Sequence, residues 1–269
     1  MSQERDILQS GLILIEHGLS DGATGNISVR LADVNRILIT PSSRDYRSLT
    51  ARDLVRIELD SGKFHGRWKP SSEWRLHALV YEARPDVAAI IHHHGTWSSA
   101  VAVARKTIPV LIDEAADIGP VRTAPYAASA SEELARTIAK ELTEGSNAVL
   151  LANHGAVALG RDLHEALRRA LEVERLAKIY IGAEVIGGAK SLDERAVAAS
   201  RVFFESYRRP TEKSSTSLVP FAPLGGPVHV RDLVNYSFQA GVTFASLLHS
   251  FIVQRIERPV SPPTSTSIR

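Results

Sequence analysis

Hydrophobic residues near the start of the chain recur at the spacing of a helix. Apolar positions from Ile7 to Leu19 follow a period close to 3.6 residues, which predicts an amphipathic helix over residues 3–18. A glycine-rich turn comes next, and apolar residues then alternate with polar ones at Ile27 and Val29. Alternation with a period of two predicts a strand after the turn.

A further strand and a hairpin are predicted in the segment that follows. The run RILIT at residues 36–40 is mainly apolar, and a loop of polar and turn-forming residues leaves it. Residues 53–66 alternate between apolar and polar positions and contain the turn sequence Asp60-Ser61-Gly62. Such a turn between two alternating runs is typical of a β-hairpin.

Helices and strands alternate over the next part of the chain. One helix is predicted to begin at Ser71 or Ser72, either of which is a natural N-cap, and to end before Pro85. Strands are predicted at residues 87–92 and 147–155, and helices at residues 96–105, 129–145 and 162–186. The mixture of both element types along one chain predicts an α/β fold.

The character of the sequence changes after Arg209. The segment that follows is rich in Pro, Gly and Ser, which is typical of a linker or arm. Residues 230–256 predict a helix with a break at Gly241, and the last residues predict a disordered tail. We therefore expect a main domain at residues 1–208 and a C-terminal extension at residues 209–269.

Composition and charge exclude several classes of protein. Hydrophobic residues make up 44% and charged residues 23% of the chain, which excludes a wholly disordered protein. The net charge of +2, from 32 basic and 30 acidic residues, is too balanced to indicate nucleic-acid binding. No apolar run approaches the ~18–20 residues of a membrane span, and the first residues lack the pattern of a secretory signal. We expect a cytoplasmic protein with neither nucleic acid nor a membrane as partner.

Histidines at the ends of two apolar runs form a candidate metal site. The chain has no cysteine, so a metal would need His, Asp, Glu or backbone ligands. Side chains two apart on a strand share a face, so His92 and His94 point one way and His93 the other. His154 ends the second run, and if the two strands are neighbours, three imidazoles converge. Three histidines leave a position open on Zn²⁺ for catalysis, although a surface cluster or a hydrogen-bonded pair fits this spacing too.

Two segments have the composition of an anion site. Free amides at a helix start, together with the hydroxyls of Ser71 and Ser72, would cradle a phosphate. Glu73 in the same turn would ligate a metal or act as a base, or would merely complement the helix dipole. The glycine-rich turn before Asn26 allows close approach of a ligand, although an ordinary tight turn also explains it.

Five segments follow one another over roughly residues 5–208: GATGNISVR, ITPSSRDYRSLT, PSSEWRLHALVYEARPD, AAIIHHHG and LLANHGAVALGRDLHEAL. In this order and spacing they resemble the class II aldolase/adducin family, and most of all its L-fuculose-1-phosphate aldolase branch. The resemblance implies a three-layer α/β/α fold with a mainly antiparallel central sheet. It also implies a class II aldolase/adducin-like catalytic domain and a homotetramer with sites between subunits.

The resemblance also implies a set of functional residues. The metal ligands would be Glu73, His92, His94 and His154, and the metal Zn²⁺, with Mn²⁺ or another divalent ion as alternatives. The phosphate pocket would comprise Asn26, Ser42, Ser43, Ser71 and Ser72. Phe204 and Tyr207 would lie on the C-terminal segment that closes over a neighbour's site.

The implied reaction is the cleavage of a ketose 1-phosphate to dihydroxyacetone phosphate and an aldehyde. A divalent metal would stabilise the enediolate as a Lewis acid, and Glu73 would shuttle the proton at the enediolate carbon. A tyrosine hydroxyl would protonate the departing aldehyde oxygen, and Tyr207 is a candidate catalytic residue. Metal-dependent decarboxylation of a hydroxy or oxo acid, possible within the same family, is the second interpretation, and a non-catalytic adducin-like scaffold the third.

The chain departs from the family pattern at two places in the site. Ser42-Ser43 stands where these enzymes carry Ser-Gly or Thr-Gly, and Ser adopts a glycine conformation reluctantly. Arg44 follows and would pair with a phosphate or with a substrate carboxylate. Asp113 falls near the position of the aldolase's proton-donor tyrosine, so either a carboxylic acid replaces the phenol or Asp113 and Glu114 are solvated acids on a loop.

Overall fold

The computed structural model describes residues 2–32, 35–143 and 146–208, with side chains except at 143 and 205–208. The described residues as far as Phe204 belong to one compact unit. The linker, helix and tail predicted within residues 209–269 lie outside the described residues. Among the described helices, none has the length and apolar character needed to cross a membrane.

Helices and strands occur along the chain close to the predicted positions. The α-helices are α1 (Gln3–Glu16), α2 (Trp74–Ala83), α3 (Thr96–Val103), α4 (Glu132–Thr143), α5 (Leu163–Val185) and α6 (Glu194–Arg208). The strands are β1 (Asn26–Arg30), β2 (Arg36–Ile39), β3 (Val55–Glu58), β4 (Phe64–His65), β5 (Ala89–His93), β6 (Arg122–Ala124), β7 (Ala148–Leu151) and β8 (Gly155–Gly160). Short 3-10 helices lie at Tyr46–Ser48, Ala51–Asp53 and Asp113–Asp117.

The strands form one mixed sheet in the order β4-β3-β2-β1-β5-β8-β7-β6. Neighbouring strands are antiparallel except for β6 and β7, which are parallel. The predicted α/β fold with a mainly antiparallel sheet is therefore confirmed. Strand β8 was not predicted, because its six residues are all buried and show no alternation of apolar and polar positions.

Alternating residues of the sheet pack into different core clusters. Ile90 lies in a cluster with side chains of α2 and α4, such as Val80 and Ile138. The next residue, Ile91, lies in a cluster with side chains of α1 and α5. This alternation places His92, two residues after Ile90, on the same side of β5 as α2.

Helix α2 begins later than its sequence predicted. The N-cap is Glu73, not Ser71 or Ser72, and no side chain caps the helix. The backbone amide of Trp74 donates to the carbonyl of Ser71 (3.1 Å), and the amide of Glu73 donates to Ser71 Oγ (3.3 Å). These bonds form a turn before the helix, so the serines precede it and Glu73 lies where the chain enters it.

Candidate active site

Two histidines at the end of β5 face the same side of the sheet. Strand β1 pairs with β5 so that Asn26 lies opposite His92. His92 Nε2 and His94 Nε2 are 2.9 Å apart, as the alternation of strand side chains predicts. His93 is fully buried and makes no contact with the other two imidazoles through its ring nitrogens; its Nδ1 accepts from the amide of Gly95 (3.2 Å).

The third histidine reaches the site on a hairpin. His154 lies in the turn between β7 and β8, and β8, not β7, pairs with β5. The strands that end at His92 and His154 are therefore not neighbours, and the hairpin turn accounts for the convergence. The centroid of the His154 ring lies 4.8 Å from that of His92 and 5.0 Å from that of His94.

The protonation of the cluster suits a divalent cation. His92 Nδ1 donates to the carbonyl of Ala156 (2.9 Å), which directs Nε2 toward the other imidazoles. Burial, reinforced by the nearby His92, lowers the pKa of His94 to about 4 and lowers the pKa of His154. Neutral imidazole is the form that binds metal, and the candidate ligand nitrogens lie within 4.8 Å of one another. The donor set of this site therefore fits a divalent ion.

Glu73 closes the cluster from the side of α2. Its Oε2 lies 3.2 Å from His92 Nε2, and its Oε1 lies 3.4 Å from His154 Nε2. Asn26 Nδ2 donates to Oε2 and Ser129 Oγ donates to Oε1, each at 3.1 Å. Burial alone would raise the pKa of this carboxyl, but the attraction of His92 and His154 and the hydrogen bonds with His92 and Asn26 lower it well below its usual value. Ser129 was missed in the sequence, where nothing distinguishes it from other loop serines.

Two glycines let the backbone strands of the site approach one another. A Cβ on Gly25 would lie 2.5 Å from the carbonyl oxygen of His92, and Gly25 has a φ of +77°. A Cβ on Gly155 would lie 2.3 Å from the carbonyl oxygen of His93. A larger residue at either position would push β5 away and separate Asn26 or His154 from the cluster.

The four serines of the predicted phosphate pocket lie on two adjacent loops. The amide of Ser42 donates to the carbonyl of Lys69, and the amide of Ser71 donates to the carbonyl of Thr40, each at 3.1 Å. Ser43 has a φ of 54°, the left-handed conformation in which glycine is favoured. The interpretation that this position suits Gly is therefore confirmed. The side-chain amide of Asn26 donates to Glu73 and makes no hydrogen bond to the serine loops.

Arg44 is held over an aromatic ring beside these loops. Its guanidinium carbon lies 3.6 Å from the centroid of the Trp68 ring, and Trp68 Nε1 donates to Asp53 Oδ1 (2.7 Å). Arg44 is exposed and, among the described residues, makes no hydrogen bond or ion pair. Stacking fixes the plane of the guanidinium and leaves its N–H groups available to an anion.

Asp113 and the C-terminal aromatic residues are not part of the described cluster. Asp113 begins a 3-10 helix, and its Oδ1 accepts from Ser200 Oγ (2.8 Å) on α6. It makes no hydrogen bond or ion pair to the histidines within the described part of the chain. The ring of Phe204 packs edge-on against that of Phe203, and the side chain of Tyr207 lies outside the described residues.

Comparisons with known proteins identify the family of this chain. The Class II Aldolase and Adducin N-terminal domain family matches residues 5–181. A 5-methylthioribulose-1-phosphate/5-deoxyribulose-1-phosphate aldolase of Rhodospirillum rubrum is 40% identical over 187 residues, covering 67% of this chain and 83% of that protein. An L-fuculose phosphate aldolase of Escherichia coli is 37% identical over 179 residues, covering 66% of this chain and 81% of that protein.

A solved structure shows the same fold. An L-fuculose 1-phosphate aldolase superposes with a TM-score of 0.72 at 34% identity, covering 76% of this chain and 98% of that chain. The chain therefore belongs to the class II aldolase and adducin family, as its sequence segments predicted. With named aldolases among the relatives that it matches, it is an enzyme of the lyase class.

Proposed function

We propose that this protein is a divalent-metal-dependent aldolase that cleaves a ketose 1-phosphate to dihydroxyacetone phosphate and an aldehyde. The observation that carries the proposal is the convergence of Glu73 with His92, His94 and His154 beside two serine-rich loops. The names of the two relatives above, both aldolases of sugar phosphates, support the substrate class. The three-layer α/β/α arrangement belongs to the same proposal, supported by the separate core clusters of α2 with α4 and of α1 with α5.

The three histidines, with Glu73, would hold the metal. Imidazole and carboxylate ligands suit Zn²⁺, which we favour, and also Mn²⁺ or another divalent ion. When bound, such an ion supplies Lewis-acid stabilisation of the negative charge that develops on the ketone half of the substrate. The protein's part is to fix the ligands in position, which the Ala156 carbonyl does for His92 by accepting from its Nδ1–H.

Glu73 is the proposed base. Its lowered pKa keeps the carboxylate ionised at neutral pH. In the condensation direction it would take the C–H proton of dihydroxyacetone phosphate, and in cleavage it would return that proton to the enediolate carbon. The hydrogen bonds from Asn26 and Ser129 fix the direction of both oxygens. A fixed carboxylate lowers the entropic cost of reaching the geometry for proton transfer.

The two serine loops are the proposed phosphate pocket. Ser42, Ser43, Ser71 and Ser72 offer hydroxyls, and Arg44 on Trp68 offers a charged fork that matches phosphate oxygens. The left-handed Ser43 turns its backbone at the point where a glycine stands in the family. Asn26 remains a proposed contributor, although both ends of its amide are engaged within the protein.

The remaining assignments concern the aldehyde end and assembly. Asp113 and Tyr207 are the proposed proton donors to the aldehyde oxygen, acting at a neighbouring subunit's site. Because Asp113 contacts Ser200 and not the histidines of its own chain, this role would need sites shared between subunits, and we propose a homotetramer as the assembly. A cytoplasmic location and a small-molecule partner complete the proposal.

Decarboxylation of a hydroxy or oxo acid is the second candidate function. Two observations favour it: Asp113 stands in place of a tyrosine, and the exposed Arg44 would bind a carboxylate as readily as a phosphate. Loss of carbon dioxide leaves the same kind of charge for the metal to stabilise.

One experiment separates these functions. The metal content of the purified protein is measured, and the same sample is incubated with dihydroxyacetone phosphate and short aldehydes. About one metal per chain with formation of a new ketose phosphate supports the aldolase. Metal without condensation favours decarboxylation, and a protein that binds no divalent metal contradicts both, leaving the adducin-like scaffold.

A further inference from the structure

Behind Glu73, four buried side chains form a continuous hydrogen-bonded series. Asn26 and Ser28 lie two apart on β1 and share a face, while His77 and Tyr81 lie four apart on α2 and share a face. We call Asn26, His77, Ser28 and Tyr81 the buried relay. Each is at most 3% exposed, so each polar atom must find its partner within the protein.

The contacts run outward from the carboxylate in one direction. Asn26 Oδ1 lies 2.5 Å from His77 Nε2, and His77 Nδ1 lies 2.7 Å from Ser28 Oγ. The hydroxyl of Tyr81 lies 2.8 Å from Ser28 Oγ and donates to the carbonyl of Ser28 (3.1 Å). No member of the relay other than Asn26 touches Glu73.

The direction of each hydrogen bond follows from the first. The amide of Asn26 donates to Glu73 Oε2 through Nδ2, so its carbonyl oxygen Oδ1 can only accept. His77 therefore donates through Nε2, and its Nδ1 accepts from the hydroxyl of Ser28. A neutral imidazole has one donor and one acceptor, which is what this arrangement requires. Burial, with a further contribution from His92, lowers the pKa of His77 to about 3, so the ring stays neutral.

We propose that His77 is a positioning residue, which fixes the amide of Asn26 and through it the carboxylate of Glu73. Without the Nε2–H donor, Asn26 is free to turn its carbonyl oxygen toward the carboxylate, where the two oxygens repel. Glu73 then loses the hydrogen bond that holds Oε2 beside His92. The proposal depends on the proposed function only for the role of Glu73, because the hydrogen bonds of the relay are present whatever reaction the site performs.

The test compares two substitutions at His77 and a control on the same helix. His77→Phe removes the donor and keeps the ring volume, whereas His77→Gln keeps an N–H donor near the position of Nε2. Val80→Ala removes buried apolar volume from α2 and removes no hydrogen bond of the relay, because the side chain of Val80 has no polar atom. For each purified variant, the affinity for Zn²⁺ is measured by competition with a chelator, and kcat and KM are measured with any substrate that wild type turns over.

We expect His77→Phe to lower Zn²⁺ affinity or kcat by ~10–100-fold, the usual effect of losing a residue that orients a metal ligand. His77→Gln should recover most of that loss, with KM nearly unchanged in both. Equal losses in the Phe and Gln variants, or in Val80→Ala, would overturn the proposal, as would wild-type affinity and kcat in His77→Phe.

A further variant covers the case in which His77→Phe does not fold. Ser28→Ala removes only the hydroxyl that donates to His77 Nδ1, which frees the ring to adopt the other tautomer. A lowered Zn²⁺ affinity supports the relay, and an unchanged affinity and kcat overturn it. Zn²⁺ affinity is measured without a substrate, so a wild type that cleaves no sugar phosphate contradicts the proposed function and leaves this test intact.

Discussion

The carboxylate of Glu73 contacts two imidazoles that come from different parts of the sheet. Oε2 lies 3.2 Å from His92 Nε2 at the end of β5, and Oε1 lies 3.4 Å from His154 Nε2 in the β7–β8 turn. One buried acid thus joins the start of α2 to two strand ends. The site forms only when all three segments keep their positions. The predictions below each concern one residue of the site or of its surroundings.

Loss of one histidine should empty the metal site. We expect His154→Ala, which removes one of three nitrogen ligands, to lower bound metal and activity together, because two histidines and a carboxylate bind a divalent ion more weakly. Metal content by plasma emission and initial rates are the measurements. His164→Ala is the control, since His164 is an exposed histidine on α5 away from the cluster. Full occupancy in His154→Ala would show that His154 is not a ligand.

Replacing the proposed base should separate chemistry from binding. Glu73→Gln keeps the size of the side chain but removes the charge and the proton acceptor. With metal supplied in excess, we expect the three histidines to keep it largely bound and kcat to fall by ~10²–10⁴-fold, the usual contribution of a general base. Single-turnover rates with metal-loaded enzyme provide the measurement. A variant that keeps a wild-type rate would exclude Glu73 as the base.

The stacked guanidinium should control affinity for the anionic group. We expect Arg44→Met to raise KM for the phosphorylated substrate by ~10-fold or more with kcat little changed, since a charged hydrogen bond contributes ~1.5–3 kcal/mol. Arg67→Met is the matched control, because Arg67 also lies over Trp68, at 4.7 Å, and near Asp53. Equal KM values in the two variants would show that Arg44 does not bind the substrate.

Glycine should have opposite effects on thermal stability at Ser43, which has a left-handed backbone, and at Ser42, which does not. A non-glycine residue in this conformation costs ~1–2 kcal/mol, and the greater freedom of Gly in the unfolded chain offsets part of that. We expect Ser43→Gly to raise the melting temperature by ~1–3 °C. Ser42→Gly should lower it, because Ser42 has no positive φ to relieve. Calorimetry of both variants checks this, and a decrease in both would contradict it.

Acid should destabilise the protein partly through His77. The pKa of His77 is about 3 in the folded protein and ordinarily 6.5. Between these values the unfolded chain binds a proton that the folded protein does not, so this contribution is present above about pH 6.5 and is lost as the pH falls toward 3. The slope is ~1.4 kcal/mol per pH unit for one such proton. Unfolding of metal-free wild type and His77→Gln from pH 7 to 4 should show a shallower dependence in the variant. Parallel curves would contradict it.

The sequence by itself determined the features that depend on neighbouring residues. Strand alternation placed His92 and His94 on one face, and the segments that resemble class II aldolases identified the family. The family resemblance also indicated that Ser43 has a backbone conformation that favours glycine, because φ is a local property. The spacing of Glu73, His77 and Tyr81 by four residues carried a signal for the relay that was overlooked.

Only the tertiary structure decided which distant residues meet. In the structure β8 lies between β5 and β7, and α2 begins after Ser71 and Ser72. Ser129, from a distant loop, donates to Glu73. The tertiary structure also paired Asp113 with Ser200 and laid Arg44 on Trp68. Periodicity reports the faces of one element, whereas strand order and polar partners follow from burying apolar surface and satisfying polar atoms over the whole domain at once.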